Sequence, residues 1–98
     1  MTIEDWRVEI DKIDGELLRL LNERARLAMS VGESKRVAGL GVADRERERE
    51  VVARACRDNA GPLDEEAVAR IFRAVIRESR RLQTAARTTG TAPERAGR

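Results

Sequence analysis

Six positions spaced seven residues apart, Ile3, Ile10, Leu17, Arg24, Val31 and Ala38, run through a proline-free stretch, and five of the six are apolar. A second row, Trp6, Ile13, Leu20 and Leu27, lies three residues on, and Leu21 and Ala28 widen the stripe. This three-and-four spacing predicts one amphipathic helix over about residues 3–38. Its two glycines, Gly15 and Gly32, are isolated. At 1.5 Å per residue the helix spans roughly 54 Å. That is a long element for a chain of 98 residues, which otherwise has the size of one small domain.

The remainder reads as two shorter helices. The segment GLGVA (39–43) breaks the first helix, and Asp44 starts a second over about residues 44–59, with Val51, Val52, Ala55 and Cys56 as its apolar face. Gly61 and Pro62 end it. Asp64 is the expected N-cap of a third helix over about residues 64–86, whose face carries Val68, Ile71, Phe72, Val75, Ile76 and Leu82. From Arg87 to Arg98 no apolar period remains, and a disordered C-terminal tail is expected after a helical domain over residues 1–86. There is no internal repeat. The fold class is therefore all-α, with three helices per chain. Two short helices cannot cover the long apolar stripe, and an uncovered stripe marks an interface. An intertwined six-helix homodimer covers it with the fewest assumptions.

Composition removes several function classes. The chain is 41% hydrophobic but only 2% aromatic, so its interior is built from aliphatic side chains. Twenty basic and 18 acidic residues alternate along it, and no block of like charge forms a basic arm. Nucleic-acid binding is not expected, despite a pI near 9.3. With a single cysteine, Cys56, and no histidine, neither an internal disulfide, nor a zinc site, nor a histidine base is available. No apolar run approaches 18 residues, and the first residues, MTIEDW, lack an apolar signal core. The expectation is a soluble cytoplasmic protein with no membrane partner.

Polar residues interrupt every apolar row. Lys35 follows Arg24 by eleven residues, three turns on and rotated by only about 20°. Asp44, Arg47 and Glu48 extend the row of Val51, Val52 and Ala55, and Ser79 and Gln83 continue that of Phe72, Val75, Ile76 and Leu82. Each has an ordinary reading. Arg24 can snorkel to solvent or pair with an acid such as Glu48, Ser79 can bond its own backbone, and Gln83 can be exposed. Arg45, Arg49, Arg80 and Arg81 lie off the stripes and are expected on the solvated surface. Together, however, the interruptions leave a surplus of buried positive charge, which costs several kcal/mol unless neutralised. A bound anion would neutralise it. Arginine and lysine with Ser79 and Gln83 suit a small dicarboxylate, and Glu48 can accept from a hydroxyl.

The residues in these positions also form a recognisable set. RVEIDKIDGELLRLLNER, LAMSVGESK, DRERE and IFRAVIRESRRLQ together resemble the all-helical chorismate mutases, across about residues 7–83. The resemblance implies an enzyme that rearranges chorismate to prephenate without metal or cofactor. It implies that Arg24 holds a substrate carboxylate and that Lys35 touches a carboxylate and the ether oxygen of the breaking bond. Gln83 would donate to that oxygen and Ser79 to a carboxylate. Glu48, with the backbone around Asp44, would receive the ring hydroxyl; Arg47 would support the anion cluster; and Arg7 would come from the partner subunit. Gly41 stands where many relatives have proline. An isochorismate-pyruvate lyase or a 4-amino-4-deoxychorismate mutase on the same scaffold is the enzymatic alternative, and a helical dimerisation module the non-enzymatic one.

Overall fold

The computed structural model describes residues 1–89, with side chains described to residue 85. Among them are three helices, α1 (Ile3–Val37), α2 (Arg45–Asp58) and α3 (Glu65–Thr89), and no strand. The start of α1 is fixed by a reciprocal cap. The Thr2 hydroxyl accepts from the Asp5 N–H at 3.1 Å, and the Asp5 carboxylate accepts from the Thr2 N–H at 2.8 Å. Hydrogen bonding from the Thr2 N–H above all, and then from the Thr2 side chain, holds the Asp5 carboxyl below the usual carboxylate range. At the other end Gly39 turns the chain with φ 77°. Its N–H donates to the Arg36 carbonyl at 3.0 Å and that of Leu40 to the Lys35 carbonyl at 2.8 Å. This is the Schellman stop that a glycine permits.

The short helices begin as their acidic caps predict. Asp44 accepts from the Arg47 N–H at 3.0 Å and Asp64 from the Ala67 N–H at 2.8 Å. Between α2 and α3, Asn59 braces the loop, donating to the Leu63 carbonyl at 2.7 Å and accepting from the Gly61 N–H at 3.1 Å. The third helix runs to Thr89, past Arg87, where the loss of apolar period marks the expected start of the tail. A helix can carry on past the end of an apolar pattern, because its backbone hydrogen bonds are local. The rest of that expected tail, residues 90–98, lies outside the described residues.

Packing is uneven along α1. Helix α3 packs against both α1 and α2, whereas α1 and α2 do not pack on each other. Val68, Ala69 and Ile76 form the buried centre, with Gly32 buried where α3 crosses α1. Every residue from Met1 to Glu23 is exposed. The rows expected to be buried are thus open in a single chain, with Ile3 70% and Leu17 52% exposed. The reason is length. Helix α1 gives the molecule its 54 Å long axis, and the shorter helices reach only its C-terminal part. No helix among the described residues is long and apolar enough to cross a membrane.

Candidate active site

Seven of the eight residues singled out from sequence meet around one pocket of about 270 Å³. Helix α1 brings Arg24 and Lys35 to it, the start of α2 brings Asp44, Arg47 and Glu48, and α3 brings Ser79 and Gln83. Leu27, Val31, Val51 and Ile76 supply its apolar wall. The helical spacing explains the convergence: the polar residues lie on the inward stripes of three helices, where those stripes meet. A larger groove, of about 1130 Å³, shares Glu48, Ile76 and Arg80 but is lined by none of Arg24, Lys35, Ser79 and Gln83. The eighth residue, Arg7, is elsewhere in the chain. Its exposed side chain lies 3.8 Å from Glu4 on the free part of α1.

The polar contacts overturn the ordinary readings one by one. Arg24 is half-buried, and its Nη1 donates to the Ser79 hydroxyl at 2.9 Å. Ser79 therefore faces Arg24 across the helices instead of only its own backbone. Half-buried Gln83 donates from Nε2 to the Ala28 carbonyl at 2.9 Å. Lys35 donates from Nζ to the Val42 carbonyl at 3.2 Å, which ties the α1–α2 loop to the pocket wall. Among the described residues neither Arg24 nor Lys35 forms an ion pair. Arg47 sits at the exposed rim with its guanidinium turned to Glu50. Donor capacity remains after these contacts, since lysine has three N–H groups and the glutamine amide has two.

One residue expected on the solvated surface belongs to the site. Arg80 lines the pocket and forms a two-point ion pair with Glu48, Nη2 to Oε1 at 2.7 Å and Nε to Oε2 at 3.1 Å. The ordinary reading of Arg24 allowed it to pair with Glu48; the structure gives Glu48 to Arg80 from α3 instead. Position alone hides this. Arg80 follows Ser79 off the apolar row, but its long side chain bends back over the α2–α3 seam. The only signal available is an acid on α2 that needs a partner. With Arg80 the pocket holds four cations against the carboxylates of Asp44 and Glu48, which makes it a site for an anion.

Gly32 sets how closely α3 approaches. A Cβ built there would lie 2.8 Å from Gln83 Cγ and 3.1 Å from Gln83 Cβ. The second atom is close to the α3 backbone and cannot swing aside. Alanine normally improves a helix interior by about 1 kcal/mol over glycine. Here we expect Gly32→Ala instead to destabilise by about 1–3 kcal/mol, the usual cost of overpacking, and to break the Gln83–Ala28 bond. Denaturant unfolding checks the sign: a stabilised variant would show that α3 is free to shift.

Comparison with known proteins agrees with this geometry. The sequence model of the family "Chorismate mutase type II" matches residues 6–84. A bifunctional chorismate mutase/prephenate dehydratase of Aquifex aeolicus is 45% identical over 78 residues, 76% of this chain and 22% of that protein. The chain thus spans about a fifth of the length of the bifunctional relatives it matches. Among solved structures, a chorismate mutase of Thermus thermophilus superposes with a TM-score of 0.82 at 34% identity, covering 84% of this chain and 93% of that one. A chorismate mutase of Helicobacter pylori in complex with prephenate gives 0.81 at 28% identity, covering 88% and 93%. On the family match across three helices and on the convergence of its polar residues in one pocket, the chain belongs to the type II chorismate mutases.

Proposed function

We propose that this protein is a chorismate mutase, converting chorismate to prephenate. The observation that carries the reading is the pair of half-buried cations, Arg24 and Lys35, that have no carboxylate partner among the described residues, set beside the neutral polar groups of Ser79 and Gln83 in one pocket. The rearrangement is intramolecular: the ether C–O bond breaks as a C–C bond forms, and no proton, nucleophile or metal is required. What accelerates it is holding the reactive diaxial conformer and stabilising charge that develops on the ether oxygen. Arg24, with Ser79, binds one carboxylate. Lys35 reaches a carboxylate and the ether oxygen, and Gln83 gives the second donor to that oxygen through its remaining N–H. Glu48 accepts the ring hydroxyl near Asp44, at the start of α2. Arg47 contributes positive potential at the rim.

The same reading includes a homodimer. Ile3, Trp6, Ile10, Ile13 and Leu17 are each more than half exposed along an otherwise helical stripe, and a second copy covers them most simply. Its Arg7 then approaches the pocket from the partner chain and completes the anion site. The test is to add chorismate, follow the loss of its absorbance and identify the product. Prephenate is the expected result. Pyruvate released from isochorismate would indicate the lyase instead, preferential turnover of the 4-amino analogue the amino-substrate mutase, and inertness toward all three a dimerisation module.

A further inference from the structure

The Arg80–Glu48 pair does more than fill the pocket edge. Glu48 is the carboxylate set to meet the substituent at the ring position that carries a hydroxyl in chorismate. A lone carboxylate there would be a poor discriminator. It accepts a hydrogen bond from a neutral hydroxyl, but it attracts an ammonium more strongly, because the charges are opposite. An amine at that position is largely ammonium at neutral pH. The fork of Arg80 changes this balance. It takes one lone-pair direction from each Glu48 oxygen, at 2.7 and 3.1 Å, and leaves others open to the pocket. It also sets a fixed positive charge next to the acceptor, so that the pair as a whole is neutral. The Glu48 side chain is 24% exposed and that of Arg80 41%, which leaves the charge partly screened but still at the pocket wall.

We propose that Arg80 is a specificity-determining positioning residue: by clamping Glu48 and placing a cation beside it, Arg80 makes the pocket accept a neutral hydroxyl and disfavour an ammonium at the same ring position. The inference rests on the chorismate mutase reading and goes beyond it, since it names what separates chorismate from its 4-amino analogue. Specificity of this kind comes from repulsion of the wrong ligand as well as attraction of the right one. Arg80 reaches the substrate through Glu48, so its role is to orient and to bias.

The experiment compares wild type with Arg80→Gln and Arg80→Lys. For each protein, kcat/KM is measured with chorismate, and the inhibition constant of 4-amino-4-deoxychorismate is measured against chorismate turnover. Helicity and thermal midpoint confirm the fold. Arg80→Gln should lose chorismate efficiency yet bind the amino analogue better relative to chorismate, shifting the preference by about fivefold, the scale of one partly exposed charge contact. Arg80→Lys keeps the charge and should stay near the wild-type preference, even where its efficiency drops. Equal losses for both ligands in Arg80→Gln would overturn the proposal and make Arg80 merely structural. An unchanged preference would overturn it too. Should wild type fail to turn over chorismate at all, the functional reading itself falls, an outcome distinct from either of these.

Discussion

Replacing Arg24 by alanine is expected to lower kcat/KM for chorismate by at least about 10²-fold, the usual scale for losing a preorganised charged contact. The same variant should be as stable as wild type, or more so. The two effects have one cause. Arg24 is half-buried on α1 and has, among the described residues, a single polar partner, the Ser79 hydroxyl at 2.9 Å. Among the described residues no carboxylate answers its charge, so the pocket carries a cation whose partial desolvation is not repaid within the chain. Truncation relieves that cost and leaves only a hydroxyl to be satisfied, which water at the open pocket can do. A substrate carboxylate then arrives to find half of its recognition missing. Steady-state kinetics and thermal unfolding measured on one preparation separate this from ordinary core damage. A variant both inactive and strongly destabilised would mean that Arg24 holds α1 to α3. Near-wild-type turnover would remove it from the site.

Most of this arrangement was legible because helices write their buried faces into sequence. Arg24, Lys35, Glu48, Ser79 and Gln83 stood out by occupying positions where aliphatic residues belonged. All five line the pocket, because a residue on an inward stripe has little choice of direction. Asp44 and Asp64 announced two helix starts by the same kind of local rule, whereas the Thr2–Asp5 cap of α1 emerged only from the structure. Arg80 was hidden for the opposite reason. The direction of its Cα–Cβ bond says surface, while the reach of its side chain says pocket, and only the distance between α2 and α3 decides which wins. Gly32 carried no signal either. The need for a missing side chain there depends on Gln83, 51 positions away in the sequence, and on how closely two helices pass. The apolar rows of α1 were legible as rows, but nothing local says which surface covers them.

That surface can be tested through Arg7. Within one chain Arg7 precedes Arg24 by 17 residues, roughly 25 Å along a straight helix, and Lys35 by 28 residues, roughly 42 Å. It therefore cannot enter the pocket of its own chain while α1 is intact. In an antiparallel pairing of two α1 helices about a two-fold axis near Leu17 and Leu18, the partner's Arg7 lies opposite the Arg24–Lys35 segment. Arg7→Ala and Arg24→Ala homodimers should each be nearly inactive, because in both every site lacks one cation. Mixed together, they form heterodimers in which one site carries both lesions and the other carries none, as the symmetry of a shared interface requires. With random exchange about half of the dimers are mixed, so activity should recover to roughly a quarter of wild type. The reciprocal mixture fixes the interpretation. An Arg7→Ala, Arg24→Ala double variant paired with wild type places one lesion in each site, and those heterodimers should be nearly inactive. Were Arg7 to act within its own chain the two mixtures would exchange outcomes, and were it a surface residue the Arg7→Ala protein would be active by itself. Heterodimers verified by differential tagging that recover no activity in the first mixture would rule out the shared site.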